Sequence, residues 1–368
     1  MGSAYSKQGS QNFYPSPSSL LAEDWTAHFN LPAKRITRCP LCFHQRTCKG
    51  YWCQNCESRR FRELFSSWGL FGSMWKRKGS CKVALKMLDG FKESSVEYLN
   101  ELRAHYKCIS SGSVLTCYGI TQDETTNNYM LVMDYAKQGD LTHFLRHNMV
   151  NYDWYRRVRE LWYIARGLKA IHDADLVHKD LHSGNILFNT FTRRPAIGDL
   201  GLCRPVKESS SGNVVLGVLP YVAPEILRGN AYTKASDIYS FSMIMWEVST
   251  LKKPFSNVAH DASLALEVTL GMRPAIAPGT PKKYAELMKL CWDVDPVKRP
   301  SAEELVKKLE ELMNDRNINS STPKIDIEEM PTHPEACFTS RILEFPHLED
   351  TKYEFKEVDL QSQERLHI

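Results

Sequence analysis

At 368 residues the chain can hold one large domain or two to three small ones. Its apolar fraction of 42% and charged fraction of 24% are ordinary for a globular protein, and a net charge of +4 does not by itself call for a nucleic-acid partner. No apolar run approaches the ~18 residues of a membrane helix and no secretory signal opens the chain; eleven cysteines, five of them within 39–56, suit a reducing, cytoplasmic setting with a metal site better than a disulfide framework.

Residues 1–30, rich in Ser, Gln, Gly and Asn, read as a flexible segment. Met1-Gly2-Ser3-Ala4-Tyr5-Ser6 fits the N-myristoylation pattern. One acyl chain binds a bilayer only marginally, so a membrane is a partner only if Gly2 is acylated. Residues 31–68 carry Cys39-x-x-Cys42, ten residues, then Cys53-x-x-Cys56. Two such pairs can bring four thiolates into the tetrahedron that zinc prefers, which predicts a small zinc-ribbon-like element. Arg35, Arg38, Arg46, Lys49, Arg59, Arg60 and Arg62 make its surroundings basic. Such a surface binds nucleic acid or an acidic partner, or is simply solvated, and solvation is the commoner case. Residues 57–68 read as a basic helix, and Gly69-x-x-Gly72 follows.

The next stretches have clear periodicity. Residues 82–88 alternate as a strand carrying Lys86, whose charge needs a partner in apolar surroundings. A helix is predicted from Ser94 to about Tyr106, carrying Glu97 and, one turn later, Glu101 as candidate partners. Residues 129–135 form a buried strand running into Ala136. Trp154, Val158, Leu161, Ile164, Ala165, Leu168 and Ile171 recur at helical steps. That helix leads to a polar run, His178-Lys179-Asp180-Leu181-x-x-x-Asn185, with Asp199-Leu200-Gly201 nineteen residues beyond Asp180 and Ala223-Pro224-Glu225 further on.

These three motifs, with Val83-Ala84-Leu85-Lys86 upstream, resemble the signature set of the protein kinase superfamily and more closely its tyrosine-kinase-like branch, over roughly residues 69–315. The two-CxxC segment ahead of them is similar to that of fungal members. The resemblance implies an α+β, bilobal protein-kinase-like fold: a small β-rich N-lobe at 69–136 and a large helical C-lobe at 137–315, followed by an acidic tail at 316–368. It implies ATP and Mg²⁺ as cofactors, protein substrates as partners, and transfer of the γ-phosphate to hydroxyls, Ser/Thr favoured. Asp180 is implied as the base, Asn185 and Asp199 as Mg²⁺ ligands, and Lys86, anchored by Glu101, as the α/β-phosphate contact. Gly69, Gly72, Ala84 and Leu187 are implied in nucleotide binding. Met133 would back the adenine pocket, and Asp134 to Ala136 would offer backbone groups to the adenine edge. Asp237 would cap the catalytic loop, and Arg299 would pair with Glu225.

The pattern departs from the family in places. The glycine loop lacks its first glycine and no strand pattern precedes it, so the roof over the phosphates reads as abbreviated. Lys179 replaces Arg, which keeps the charge and loses the planar fork; it would face a phosphate on the activation segment, with Ser209, Ser210 and Ser211 as candidates. Leu200 replaces Phe, and His182 and Val218 leave the hydroxyl preference open. Two other readings follow from these departures: a pseudokinase scaffold with weakened ATP binding, and a zinc-ribbon nucleic-acid binder. The tail, with five Lys/Arg against eleven Asp/Glu over 321–368, is expected to be flexible or weakly docked. By opposite charge it would fold back onto residues 34–86, which hold thirteen Lys/Arg against two Asp/Glu.

Overall fold

The computed structural model describes residues 82–87, most of 101–122, then 129–148, 152–189, 192–205, 215–320 and 332–343. Gly2, the four CxxC cysteines, Gly69, Gly72, Glu97 and Ser209 to Ser211 lie outside the described residues.

The smaller layer is an antiparallel sheet of order β1-β3-β2, from β1 (Val83–Met87), β2 (Cys117–Gln122) and β3 (Tyr129–Asp134). β3 is central, and its register sets Lys86 opposite Leu131 and Ala84 opposite Met133. The described residues of 101–108 are helical, and Glu101, Ala104, His105 and Cys108 on this helix are buried. Two connections tie this layer to the helical part. Val114 makes a parallel bridge to Ile197, and Asp140 bridges to Leu187.

The helical part is built on two long helices. α1 (Leu141–Asn148) precedes α2 (Trp154–Asp173), which starts where the Asp153 side chain accepts from the Arg156 N–H. Its periodic face is the predicted one: Val158, Leu161, Ile164, Ala165 and Leu168 are fully buried. Gly167 permits a close crossing, because a Cβ there would sit 2.5 Å from the Ser113 carbonyl oxygen. After β4 (Leu176–Val177), β5 (Ile186–Phe188), β6 (Pro195–Ile197), β7 (Arg204–Pro205) and β8 (Val215–Gly217) come α3 (Pro224–Leu227) and α4 (Lys234–Thr250). α4 opens with a capping box between Thr233 and Ser236 and is buried almost all round, which places it at the centre of the core. α5 (Ala262–Thr269), α6 (Lys282–Cys291) and α7 (Ala302–Met313) enclose it, with α7 lying along α2 through a Trp162 Nε1–Glu310 Oε1 bond of 3.0 Å.

Residues 332–343 lie on the helical lobe, where β9 (Arg341–Leu343) pairs antiparallel with β8 and buries Leu343 in the main core. Local apolar burial and strand pairing hold these residues, so of the two expectations for the tail, flexible or weakly docked, they follow docking.

Arg299 and Glu225 form the predicted pair, bidentate at 2.7 and 2.8 Å and buried, with the guanidinium also bonded to the Asp293 and Ala235 carbonyls. Removing one partner strands the other charge in the core. Arg299→Met should therefore cost about 3–5 kcal/mol in denaturant unfolding, and the double replacement Arg299→Met with Glu225→Leu should recover most of that loss.

Candidate active site

The loop between β4 and β5 is held from beneath by α4. Asp237, on the first turn of that helix and buried, accepts the His178 N–H at 2.8 Å and the Lys179 N–H at 3.0 Å, and His172 Nε2 lies 2.8 Å from the same carboxylate. These bonds keep Lys179 in a left-handed conformation at φ 72°, and Asp199 across the site has φ 48°. Such backbone costs about 1–3 kcal/mol per residue and persists only where the surroundings over-determine it. His178 is buried; its Nδ1 accepts the Asp180 N–H at 3.3 Å, which puts the ring proton on Nε2, 3.1 Å from the Gly198 carbonyl.

Asp180 is thereby presented with its carboxylate at the surface of the loop. Asn185 Nδ2 donates to the Asp180 carbonyl at 2.8 Å and lies 3.4 Å from Oδ2. His182 turns Nδ1 to the Gly184 N–H at 3.1 Å, so Nε2 carries its proton, 3.6 Å from Asp180 Oδ2. Burial pushes the Asp180 carboxyl up, but His182, Ser340 and His178 outweigh it and hold it below its ordinary value. The carboxylate is ionised at neutral pH.

Opposite stands the predicted lysine. Lys86 Nζ lies 2.8 Å from Glu101 Oε1 and 2.7 Å from Asp199 Oδ1. Burial acts against the ammonium, yet Glu101 and Asp199 raise its pKa. Desolvation likewise opposes both carboxylates and is outweighed, at Glu101 by His105 and Lys86 and at Asp199 by Lys86, so both are held low. Each member of the trio is charged because the others are.

The residues fit a Mg²⁺-nucleotide. The Asn185 amide nitrogen is committed to Asp180, which turns its oxygen elsewhere, and the Asp199 side chain, just after β6, is 48% exposed. Neutral and anionic oxygens of this kind are the donors a hard cation takes. Met133, Leu115, Cys117 and Leu131 form a small apolar cluster, with Leu187 packed on it and Ala84 across from Met133. An apolar surface of this kind suits a planar base. Asp134 and Ala136 are partly occupied already: the Asp134 N–H donates to the Thr116 carbonyl at 3.0 Å, and the Ala136 carbonyl accepts from Gly139 at 3.0 Å. These two bonds involve neither the Asp134 carbonyl nor the Ala136 N–H, the other backbone groups of the expected Asp134 to Ala136 edge. The Asp134 side chain braces the strand end instead, accepting from the Tyr118 hydroxyl and from Asn189 Nδ2.

Leu200 is buried in the core, as expected of a packing substitution. Lys179 lays its ammonium 5.5 Å from the centre of the Tyr232 ring. Sequence reasoning missed two contributors. Ser340 donates its hydroxyl to Asp180 Oδ2 at 2.5 Å, and Lys253 Nζ reaches Ser183 Oγ at 2.5 Å on the catalytic loop. No local pattern marks either one, since each bond spans 70 residues or more.

Residues 68–309 match the family described as protein tyrosine and serine/threonine kinase. The chain belongs to this family. It is similar to "Probable serine/threonine-protein kinase roco8" of Dictyostelium discoideum, 35% identical over 204 residues, which is 52% of this chain and 11% of the relative. It is similar as well to "Probable serine/threonine-protein kinase drkC" of the same organism, 29% identical over 237 residues, 62% of this chain and 31% of the relative. A further probable serine/threonine-protein kinase from that organism is 26% identical over 271 residues, 69% of this chain and 15% of the relative. The kinase chain thus spans less than a third of the length of these relatives.

The charged trio leaves a pH signature. Glu101 and Asp199 have depressed pKa values when folded, so their contribution to stability is present above the ordinary carboxylate range and is lost as pH falls through the folded values. Lys86 is raised, so its contribution is present below about pH 10.4 and is lost only above that. The urea midpoint should fall below about pH 4, and the Glu101→Gln, Asp199→Asn double variant should show a shallower acid loss than the parent.

Proposed function

We propose that this chain is an ATP- and Mg²⁺-dependent protein kinase that transfers the γ-phosphate to serine or threonine hydroxyls. One observation carries this reading: Lys86, Glu101 and Asp199 are bonded together on one side of the site, while on the other Asn185 is bonded to Asp180, whose two preceding residues give their N–H groups to Asp237. Phosphoryl transfer needs positioning and charge neutralisation more than covalent help, and these are the groups that provide both. Lys86 would hold the α/β-phosphates, and Asn185 and Asp199 would hold the metal. Bound Mg²⁺ supplies charge neutralisation at the phosphate oxygens. Asp180 would orient the acceptor hydroxyl and take its proton, which its depressed pKa permits at neutral pH.

A short acceptor is favoured on two grounds. A serine hydroxyl already reaches Asp180 from a strand lying on β8, whereas a tyrosine ring in that position would hold the same backbone several ångströms further out. The named relatives are serine/threonine kinases as well. Zinc at Cys39, Cys42, Cys53 and Cys56 is a separate part of the proposal, supported by their spacing. Loss of bound zinc on replacing Cys53 and Cys56 tests it.

Asp180→Ala should lower transfer of labelled phosphate to protein by about 10²–10⁴-fold, while ATP with MgCl₂ still raises the melting temperature of the variant. Equal transfer by parent and variant would leave only the scaffold reading. A matched peptide pair differing in Ser against Tyr at the acceptor should be labelled at the serine.

A further inference from the structure

The tail segment 332–343 approaches the catalytic loop along a defined path. The His333 N–H donates to the Ser256 carbonyl at 2.8 Å, and the His260 N–H to the Glu335 carbonyl at 3.2 Å. His260 then bonds the Cys337 backbone through Nδ1, and its ring meets Phe338 edge-on at 4.8 Å. Lys253 lies 5.4 Å from the centre of the same Phe338 ring. Beyond Ser340, Arg341 donates to the His260 carbonyl at 2.7 Å, and Arg341, Ile342 and Leu343 pair with Gly217, Leu216 and Val215. Ser340 is therefore fixed from both sides in an extended chain, at the one point where the tail crosses Asp180.

The crossing is close because β8 ends in a glycine. Gly217 has φ 152°, and a Cβ there would lie 3.2 Å from Val222 and 3.5 Å from Asp180 Oδ1. At that crossing the Ser340 hydroxyl donates to Asp180 Oδ2 at 2.5 Å, and His182 Nε2 stands 3.3 Å from the same hydroxyl oxygen. Ser340 itself is exposed as a residue. A short charge-assisted bond from an acceptor hydroxyl to the base is the arrangement from which the base takes that proton.

We propose that Ser340 is an intramolecular phosphoacceptor of this chain's own active site, and that residues 337–343 mark the path of substrate peptides across β8. This rests on the kinase reading above. In the step, Ser340 Oγ forms a bond to the γ-phosphorus of ATP as the bond from that phosphorus to the β,γ-bridging oxygen breaks. ADP leaves with the electron pair of that bond, and the hydroxyl proton passes to Asp180 and then to solvent. The product places a phosphate dianion against the Asp180 carboxylate, and like-charge repulsion drives the tail out of the groove. The groove then opens to other peptides.

The test uses the full chain, dephosphorylated, incubated with ATP, MgCl₂ and dephosphorylated casein over a tenfold range of protein concentration, with phosphosites mapped by mass spectrometry. Because the acceptor is held in place, Ser340 should be labelled with one first-order rate constant across the whole range, and Ser340→Ala should lose that phosphopeptide. Phe338→Ala, which removes the anchoring ring, should lower the ratio of Ser340 to casein labelling at least fivefold. Without nucleotide, amide hydrogen exchange at 341–343 should be slowed at least tenfold relative to the same peptide free in solution. Casein labelled while Ser340 stays unmodified overturns the proposal and leaves the kinase reading standing. A Ser340 rate that rises in proportion to protein concentration, or unprotected 341–343 amides, overturns the intramolecular docking. If neither casein nor Ser340 is labelled, the kinase reading fails and this proposal falls with it.

Discussion

The site depends on one buried carboxylate. Asp237 accepts two consecutive backbone N–H groups and faces a histidine nitrogen, all from the region that leads into Asp180. A hydrogen bond to a charged group contributes about 1.5–3 kcal/mol. Two of them from adjacent amides suffice to hold Lys179 in a conformation that a non-glycine residue otherwise avoids. The strain at Lys179 is what turns the chain so that Asp180 faces outward while His178 points inward to Gly198. Because Asp237 sits on a helix buried almost all round, the loop inherits the rigidity of the core.

The opposite wall is built differently. Lys86, Glu101 and Asp199 come from a strand, a helix and the segment after β6, and their mutual charge is what brings the three together. Lys86 is only partly enclosed, with its side chain 36% exposed, so solvent screens part of the attraction. The trio is therefore a registration device between layers more than a source of stability. The catalytic floor is positioned by packing and backbone hydrogen bonds, and the facing side by electrostatics that a polyphosphate with its metal would engage.

The tail adds a third constraint. Its described part is held on the helical lobe by short-range contacts. An antiparallel ladder of three residues, an apolar Leu343 and an aromatic ring between His260 and Lys253 act at contact distance, whereas charge between exposed groups is screened over about 8–10 Å. Short-range complementarity decided the location. It also brought a hydroxyl to the base across 160 residues of sequence.

Much of this was readable in advance, and the reason is local. The spacing of His178, Asp180 and Asn185 is set by one loop, and the helical period of Trp154 to Ile171 by one face, so each could be read from the chain itself. The Lys86–Glu101 ion pair was legible through the resemblance to the kinase pattern, which sets a glutamate at this separation from the lysine. What only the tertiary structure decided are the contacts made across the fold: Ser340 on Asp180, Lys253 on Ser183, and the Asp134 side chain on Tyr118 and Asn189. Periodicity and motif spacing report how a residue relates to its neighbours in sequence. A hydrogen bond between distant segments depends on where two surfaces meet, and that is settled by packing.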